Sequence, residues 1–102
     1  MKIYVDADAL PRVLKEVLFK AAERKKIECI LVAAHKPMLP QSPFLKGIAA
    51  GTSFNGADDW IAENIEAGDL AITADIPLAD RAIAKGAKAF SPHGNVFTPA
   101  NI

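Results

Sequence analysis

Four short runs of the chain are apolar on successive residues: I-Y-V at 3–5, I-L-V-A at 30–33, L-A-I-T at 70–73 and a weaker A-K-A-F at 87–90. A strand with one wet face alternates polar and apolar residues, so uninterrupted runs of this length belong to strands covered on both faces. Helical patterns lie between them. Val13, Leu14, Val17, Leu18, Ala21 and Ala22 repeat at three-four spacing as one buried stripe, with Pro11 placed where a helix start tolerates a missing N–H. A second helix is predicted from about 57 to 67, closing at Gly68, and a third from Ile76-Pro77 to Gly86. Strand and helix alternate, which predicts an α/β domain in three layers around a mostly parallel sheet of about five strands. Right-handed crossovers readily allow the strand order 3-2-1-4-5, which is the order expected here.

The middle segment, H-K-P-M-L-P-Q-S-P-F-L-K-G-I-A-A-G-T-S-F-N-G, breaks this rhythm. Pro37, Pro40 and Pro43 forbid a long helix before Ser42. A rigid loop, a short helix from about Ser42 and a short strand near 52–54 are expected there. The end of the chain, G-N-V-F-T-P-A-N-I, reads as an edge strand or an irregular arm.

At 102 residues the chain is expected to be one domain, burying about 60–70% of its unfolded surface. No stretch approaches the ~20 apolar residues of a membrane span, and the early acid in M-K-I-Y-V-D is unlike a signal peptide. Cys29 is the single cysteine and sits in an apolar run, so a reduced, inert thiol and a cytoplasmic location are expected. The formal charge of zero is unevenly spread. Residues 1–48 carry nine Lys/Arg against five Asp/Glu, and residues 49–102 carry three against seven. A neutral total argues against strong non-specific affinity for nucleic acid, while a basic half leaves room for it.

The acids fall in a pattern. Asp6 and Asp8 follow the first strand, Asp75 follows the fourth, and Asp58 and Asp59 open a helix. All of these positions map to the carboxyl edge of a parallel sheet, where ligands bind at the point of strand-order reversal. Two carboxylates about 5 Å apart repel by roughly 3 kcal/mol at an effective dielectric near 20. A cluster of them calls for a cation, and hard oxygen donors without thiolate or imidazole favour Mg²⁺ or Mn²⁺. The expected ligands are Asp6, Asp8, Asp58 and Asp75, with Asp59 and Asp80 as weaker candidates. Taken singly, Asp8 and Asp75 also suit helix capping, and Asp58 and Asp59 suit the helix dipole. Asp6 is hardest to dismiss, because a charge closing a buried strand needs a partner. Glu63, Glu66 and Asp69 read as solvated surface. His35 and Lys36 past the second strand, and His93 and Asn95 past the fifth, are weaker candidates for phosphate contact; either histidine also suits a plain surface loop.

V-D-A-D-A-L-P, S-P-F-L, A-D-D-W-I, E-A-G-D-L-A-I-T-A-D-I-P-L-A and F-T-P-A-N-I together resemble the bacterial YaiI/YqxD-like family over essentially the whole chain. The resemblance implies a PIN-like fold over residues 1–102. The wider PIN group implies a Mg²⁺- or Mn²⁺-dependent ribonuclease: Asp6 matches its first acid, Asp58 the start of its D-x-x-I-A helix, and Asp75 its T-x-D. The chain departs from that pattern in the middle, where residues 29–57 hold no acid; Asp8 is the available substitute. Leu10 stands where the family commonly has Cys. The family also continues into a helical tail, so the resemblance implies that a lid or oligomer contact is missing here. Two further readings stay open at this level. One is a non-catalytic module binding RNA or protein. The other is a phosphatase using Asp6 as nucleophile and Asp8 as acid. Oligomeric state is not legible in the residues.

Overall fold

The computed structural model describes residues 1–101; Ile102, which ends the F-T-P-A-N-I segment, lies outside the described residues. Six strands form one sheet in the order β3-β2-β1-β4-β5-β6. They are β1 (Lys2–Asp6), β2 (Glu28–Ala33), β3 (Leu45–Ala49), β4 (Leu70–Ile72), β5 (Lys88–Phe90) and β6 (Val96–Phe97). The first five run parallel, and β6 pairs antiparallel with β5 at the edge. The helices are α1 (Arg12–Lys25), α2 (Gly56–Asn64) and α3 (Ile76–Ala84).

Successive residues of each strand serve opposite faces, which is why the runs carry no polar alternation. Tyr4, Ile30, Val32, Ala71 and Ala89 pack with Ile61 and Leu78 under α2 and α3. Val5, Cys29, Leu31 and Leu45 pack with Leu14, Leu18 and Ala22 under α1. Burial pushes the Cys29 thiol up to about 12, so it stays protonated. Two devices seat α2 over β1. The rings of Tyr4 and Trp60 lie 6.1 Å apart, and the Tyr4 hydroxyl donates to the Asn64 carbonyl at 3.3 Å. At the other end of that layer, Lys85 Nζ donates to the Ala62, Glu63 and Ile65 carbonyls at 2.6–3.2 Å, closing the C-terminus of α2.

Four expectations are corrected. No helix forms from Ser42. The Ser42 hydroxyl accepts the Phe44 N–H at 3.2 Å and turns the chain directly into β3, which pairs with β2 from Cys29↔Leu45 onward. The third strand is therefore Leu45–Ala49, and 52–54 is a turn. Gly47 permits this, because a Cβ there would meet Pro37 Cγ at 3.2 Å and Leu39 Cδ1 at 3.3 Å. The buried stripe of α1 is also narrower than its spacing predicts. Val13 and Val17 are 71% and 61% exposed, because α1 is the only helix on its face of the sheet among the described residues and does not reach across β4 and β5. Finally, Asp69 is buried: its two carboxylate oxygens accept the Lys2 and Glu66 N–H groups, both at 2.9 Å.

Candidate functional site

The strand order reverses at β1. The chain leaves β1 for β2 and β3 on one side, then returns to β4 on the other. The crevice outside the carboxyl ends of β1 and β4 is the place such sheets offer to ligands.

Asp6 ends β1 half-buried, directly after the fully enclosed Val5. Thr73, itself fully buried at the end of β4, donates its hydroxyl to Asp6 Oδ2 at 3.4 Å. Thr73 Oγ1 in turn accepts the Asp75 N–H at 3.0 Å, so one side chain ties the two acids together. Asp75 caps α3, its Oδ1 accepting the Leu78 N–H at 2.8 Å, with Pro77 in the first turn. The capping expectation for Asp75 holds. For Asp8 it does not: Asp8 lies in a 3₁₀ turn over Ala7–Ala9, and the residue capping α1 is Pro11. Asp8 Oδ2 accepts the Ala34 N–H at 3.2 Å, across to the end of β2.

Asp58 enters from the first turn of α2. Asp6, Asp8 and Asp58 line one open pocket of about 270 Å³, together with Ala34, the 52–55 turn and the start of α2. A hollow of about 530 Å³ along β3 is larger, so chemistry and not size singles out the acidic one. Burial raises the Asp6 carboxyl above the usual carboxylate range, and the Asp8 and Asp75 charges add to the rise against the Thr73 hydrogen bond. Asp58 is pushed up to about 6, first by burial, then by the charges of Asp75 and Asp6 and a hydrogen bond shared with Asp75. Asp8 and Asp75 therefore act on Asp6, and Asp75 and Asp6 act on Asp58.

The other candidates stand apart. Asp59 turns away from Asp58 and pairs with Arg81 at 2.7 Å, an exposed bridge between α2 and α3. Asp80 is exposed on α3. His35 and Lys36 are exposed just beyond Ala34. His93 and Asn95 are exposed in the β5–β6 turn, where the Asn95 backbone N–H donates to Ser91 Oγ at 3.0 Å. Sequence reasoning assigned no role to the Thr73 hydroxyl. The signal was available, since a polar residue closes an otherwise apolar buried strand.

Residues 4–102 match the family model described as "Uncharacterized BCR, YaiI/YqxD family". The chain belongs to the YaiI/YqxD family. Among curated YaiI/YqxD relatives, the UPF0178 protein of Colwellia psychrerythraea is 54% identical over 102 residues, covering all of this chain and 68% of the relative. That of Shewanella amazonensis is 52% identical with the same coverage, and that of Saccharophagus degradans 51%. No solved structure matches. Neither the family description nor these names state a reaction, so the YaiI/YqxD site must be read from its own chemistry.

The donor set of this YaiI/YqxD site consists of hard carboxylate oxygens, the type that suits Mg²⁺ or Mn²⁺. Among the described residues, no three His, Cys, Asp or Glu side chains stand as a preformed metal cage. The donors fit the ion by type and by their mutual repulsion, while a closed ligand set is not in place.

The raised Asp58 gives a signed pH dependence. Its folded value of about 6 lies above the ordinary 3.8, so between those values the folded chain holds a proton that the unfolded chain releases. Stability falls as pH rises through that window, and the penalty is complete above pH ~6. In a dry site the shift would be worth about 3 kcal/mol; with solvent at the pocket mouth, screening leaves about 1 kcal/mol. Asp58→Asn is expected to be about 1 kcal/mol more stable than the parent at pH 8 and no different below pH ~4. Urea denaturation across that pH range checks it; a pH-independent difference would remove the repulsion from the account.

Proposed function

We propose that this chain is a divalent-metal-dependent phosphodiesterase acting on RNA, with a PIN-like arrangement of acids. The observation carrying the reading is the convergence of Asp6, Asp8 and Asp58 on one pocket, with Asp75 close enough to raise the Asp58 carboxyl. Asp6, Asp58 and Asp75 are the proposed ligands of Mg²⁺ or Mn²⁺, and Asp8 is the fourth acid. A bound ion of this kind supplies an activated water and neutralises charge on the phosphoryl group. The chain's own part is placement. Thr73 holds Asp6 and the turn to Asp75 in fixed relation, and the Ala34 amide keeps Asp8 facing the pocket. Support for RNA comes from the resemblance to the PIN group and from the basic N-terminal half.

A second reading, a non-catalytic PIN-like module that binds RNA or protein, is favoured by the lack of a preformed three-ligand group among the described residues. One titration separates the two. With Mn²⁺ at tenfold excess over its Kd, the melting temperature is expected to rise by roughly 5–10 °C. Labelled single-stranded RNA is expected to be cut in the same buffer and spared in EDTA. A thermal shift without cleavage selects the binding module. Neither response would leave the nuclease reading without support.

A further inference from the structure

A groove lies between α1 and the proline-rich loop after β2, and the chain on each of its walls runs back to one hydrogen bond at the acidic pocket. On one wall the chain passes from Asp8 to Arg12 in four residues and into α1. On the other it passes from Ala34, which donates to Asp8, to Met38 in four residues. The walls meet in a hollow of about 440 Å³ lined by Arg12, Lys15, Glu16, Phe19, Met38 and Pro40. Pro40 also lines the adjoining hollow that holds Lys36.

Three properties of this groove need an explanation. Among the described residues, Arg12, Lys15 and Lys36 have no carboxylate within ion-pair distance; the ion pairs formed are Lys46–Glu28 and Arg81–Asp59. Glu16 is the one acid lining the hollow. Met38 is 98% exposed at its mouth, beside the half-buried ring of Phe19. Held by the three prolines of its loop, Met38 stays in water instead of folding onto the core. Unpaired cations around a half-buried aromatic ring with an exposed apolar side chain at the rim form the surface that single-stranded nucleic acid uses, with phosphates on the cations and bases on Phe19 and Met38.

We infer that this groove is the track for single-stranded RNA leading into the acidic pocket. The inference rests on the reading of that pocket as an RNA site and adds where the strand lies and that it is unpaired. Charge decides for nucleic acid. A strand entering the acid pocket alone meets Asp6, Asp8 and Asp58 and is repelled, so its flanking phosphates need cations nearby. A duplex presents its bases to itself and leaves Phe19 and Met38 nothing to stack on.

The test measures binding without cleavage. Fluorescein-labelled 12-nucleotide single-stranded RNA is titrated in EDTA at 0.1 M salt against the full chain. The variant Arg12→Gln/Lys15→Gln/Lys36→Gln is compared with Arg24→Gln/Lys25→Gln/Lys88→Gln, which removes equal charge at the opposite edge of the sheet. With each single-strand phosphate contact contributing about 0.7 to the salt slope, the groove variant is expected to bind about 100-fold more weakly and lose about 2 from that slope. The control should change less than tenfold, and Met38→Ala should lose severalfold with the salt slope unchanged. Circular dichroism and melting keep a folding failure apart from a binding loss. Equal losses in the two triple variants, equal affinity for duplex RNA, or binding of poly-glutamate instead of RNA would each overturn the inference. Because EDTA removes catalysis, a chain that binds in this way but never cleaves RNA retains the track and loses only the nuclease reading.

Discussion

Asp6→Asn is expected to reduce Mn²⁺-dependent RNA cleavage by about 10³-fold, equivalent to about 4 kcal/mol of transition-state stabilisation. The variant is nearly isosteric, and an amide oxygen can still accept the Thr73 hydroxyl. What disappears is the charge at the point where Asp8, Asp75 and Asp58 also act. The same loss should leave the fold intact, and stability at pH 7 should hold or rise because a repelling charge has left a half-buried place. Activity and stability therefore move in opposite directions, the trade expected of a site kept for function. The thermal response to Mn²⁺ should vanish with the activity. A variant that keeps a tenth of the cleavage and the full thermal response would remove Asp6 from the site, and with it the proposed metal.

Asp69→Ala is expected to cost about 3 kcal/mol of stability, through two backbone donors left without partners. Its oxygens hold the Lys2 N–H at the start of β1 and the Glu66 N–H in the turn before β4, each at 2.9 Å. Each lost charge-assisted bond in a buried place is worth roughly 1.5–3 kcal/mol, and water entering the vacated space recovers part of that. In urea, with a slope near 1.5 kcal/mol/M for a domain of this size, the midpoint should fall by about 2 M. Asp69→Asn should fall by about half as much, since its amide presents one acceptor and a donor to two donors. Cleavage and Mn²⁺ binding at temperatures where the variant is folded should stay unchanged, because Asp69 sits at the amino edge of the sheet, opposite the acidic pocket. An unchanged midpoint in Asp69→Ala would show that these bonds are replaced by water at no cost.

The two sites are separated by the direction of the strands. β1 begins beside Asp69 and ends at Asp6, so one strand joins a carboxylate that anchors the fold to one that strains it. The anchor has every oxygen paired with backbone. At the other end Asp6 and Asp58 are raised, first by burial and then by neighbouring acids, and Thr73 is the buried group that offsets this at Asp6.

Local patterning was enough to read the strands buried on both faces, the helices between them and the capping place of Asp75. Each depends on residues near one another: runs apolar on both faces, three-four spacings, and a Pro after an acid. Asp6 was legible as well, since a charge at the end of an enclosed strand stands out within its own five residues. The segment 45–49 was harder. Its strand is carried by pairing with β2 and by Pro37 and Leu39 lying on Gly47, contacts that no window around L-K-G-I-A contains.

The linear order of residues determined which side chains carry charge and at which edge of the sheet each emerges, because strand direction and helix phase are local properties. Tertiary structure alone decided that Asp59 meets Arg81, while its neighbour Asp58, singled out by the D-x-x-I-A resemblance, lines the pocket. It also decided that Asp69 lies inside, bonded to an amide 67 residues earlier, while Val13 and Val17 lie outside. The reason is that burial and repulsion are set by what arrives from the far parts of the chain. A helix spacing states only which residues share a face, and not what that face will meet.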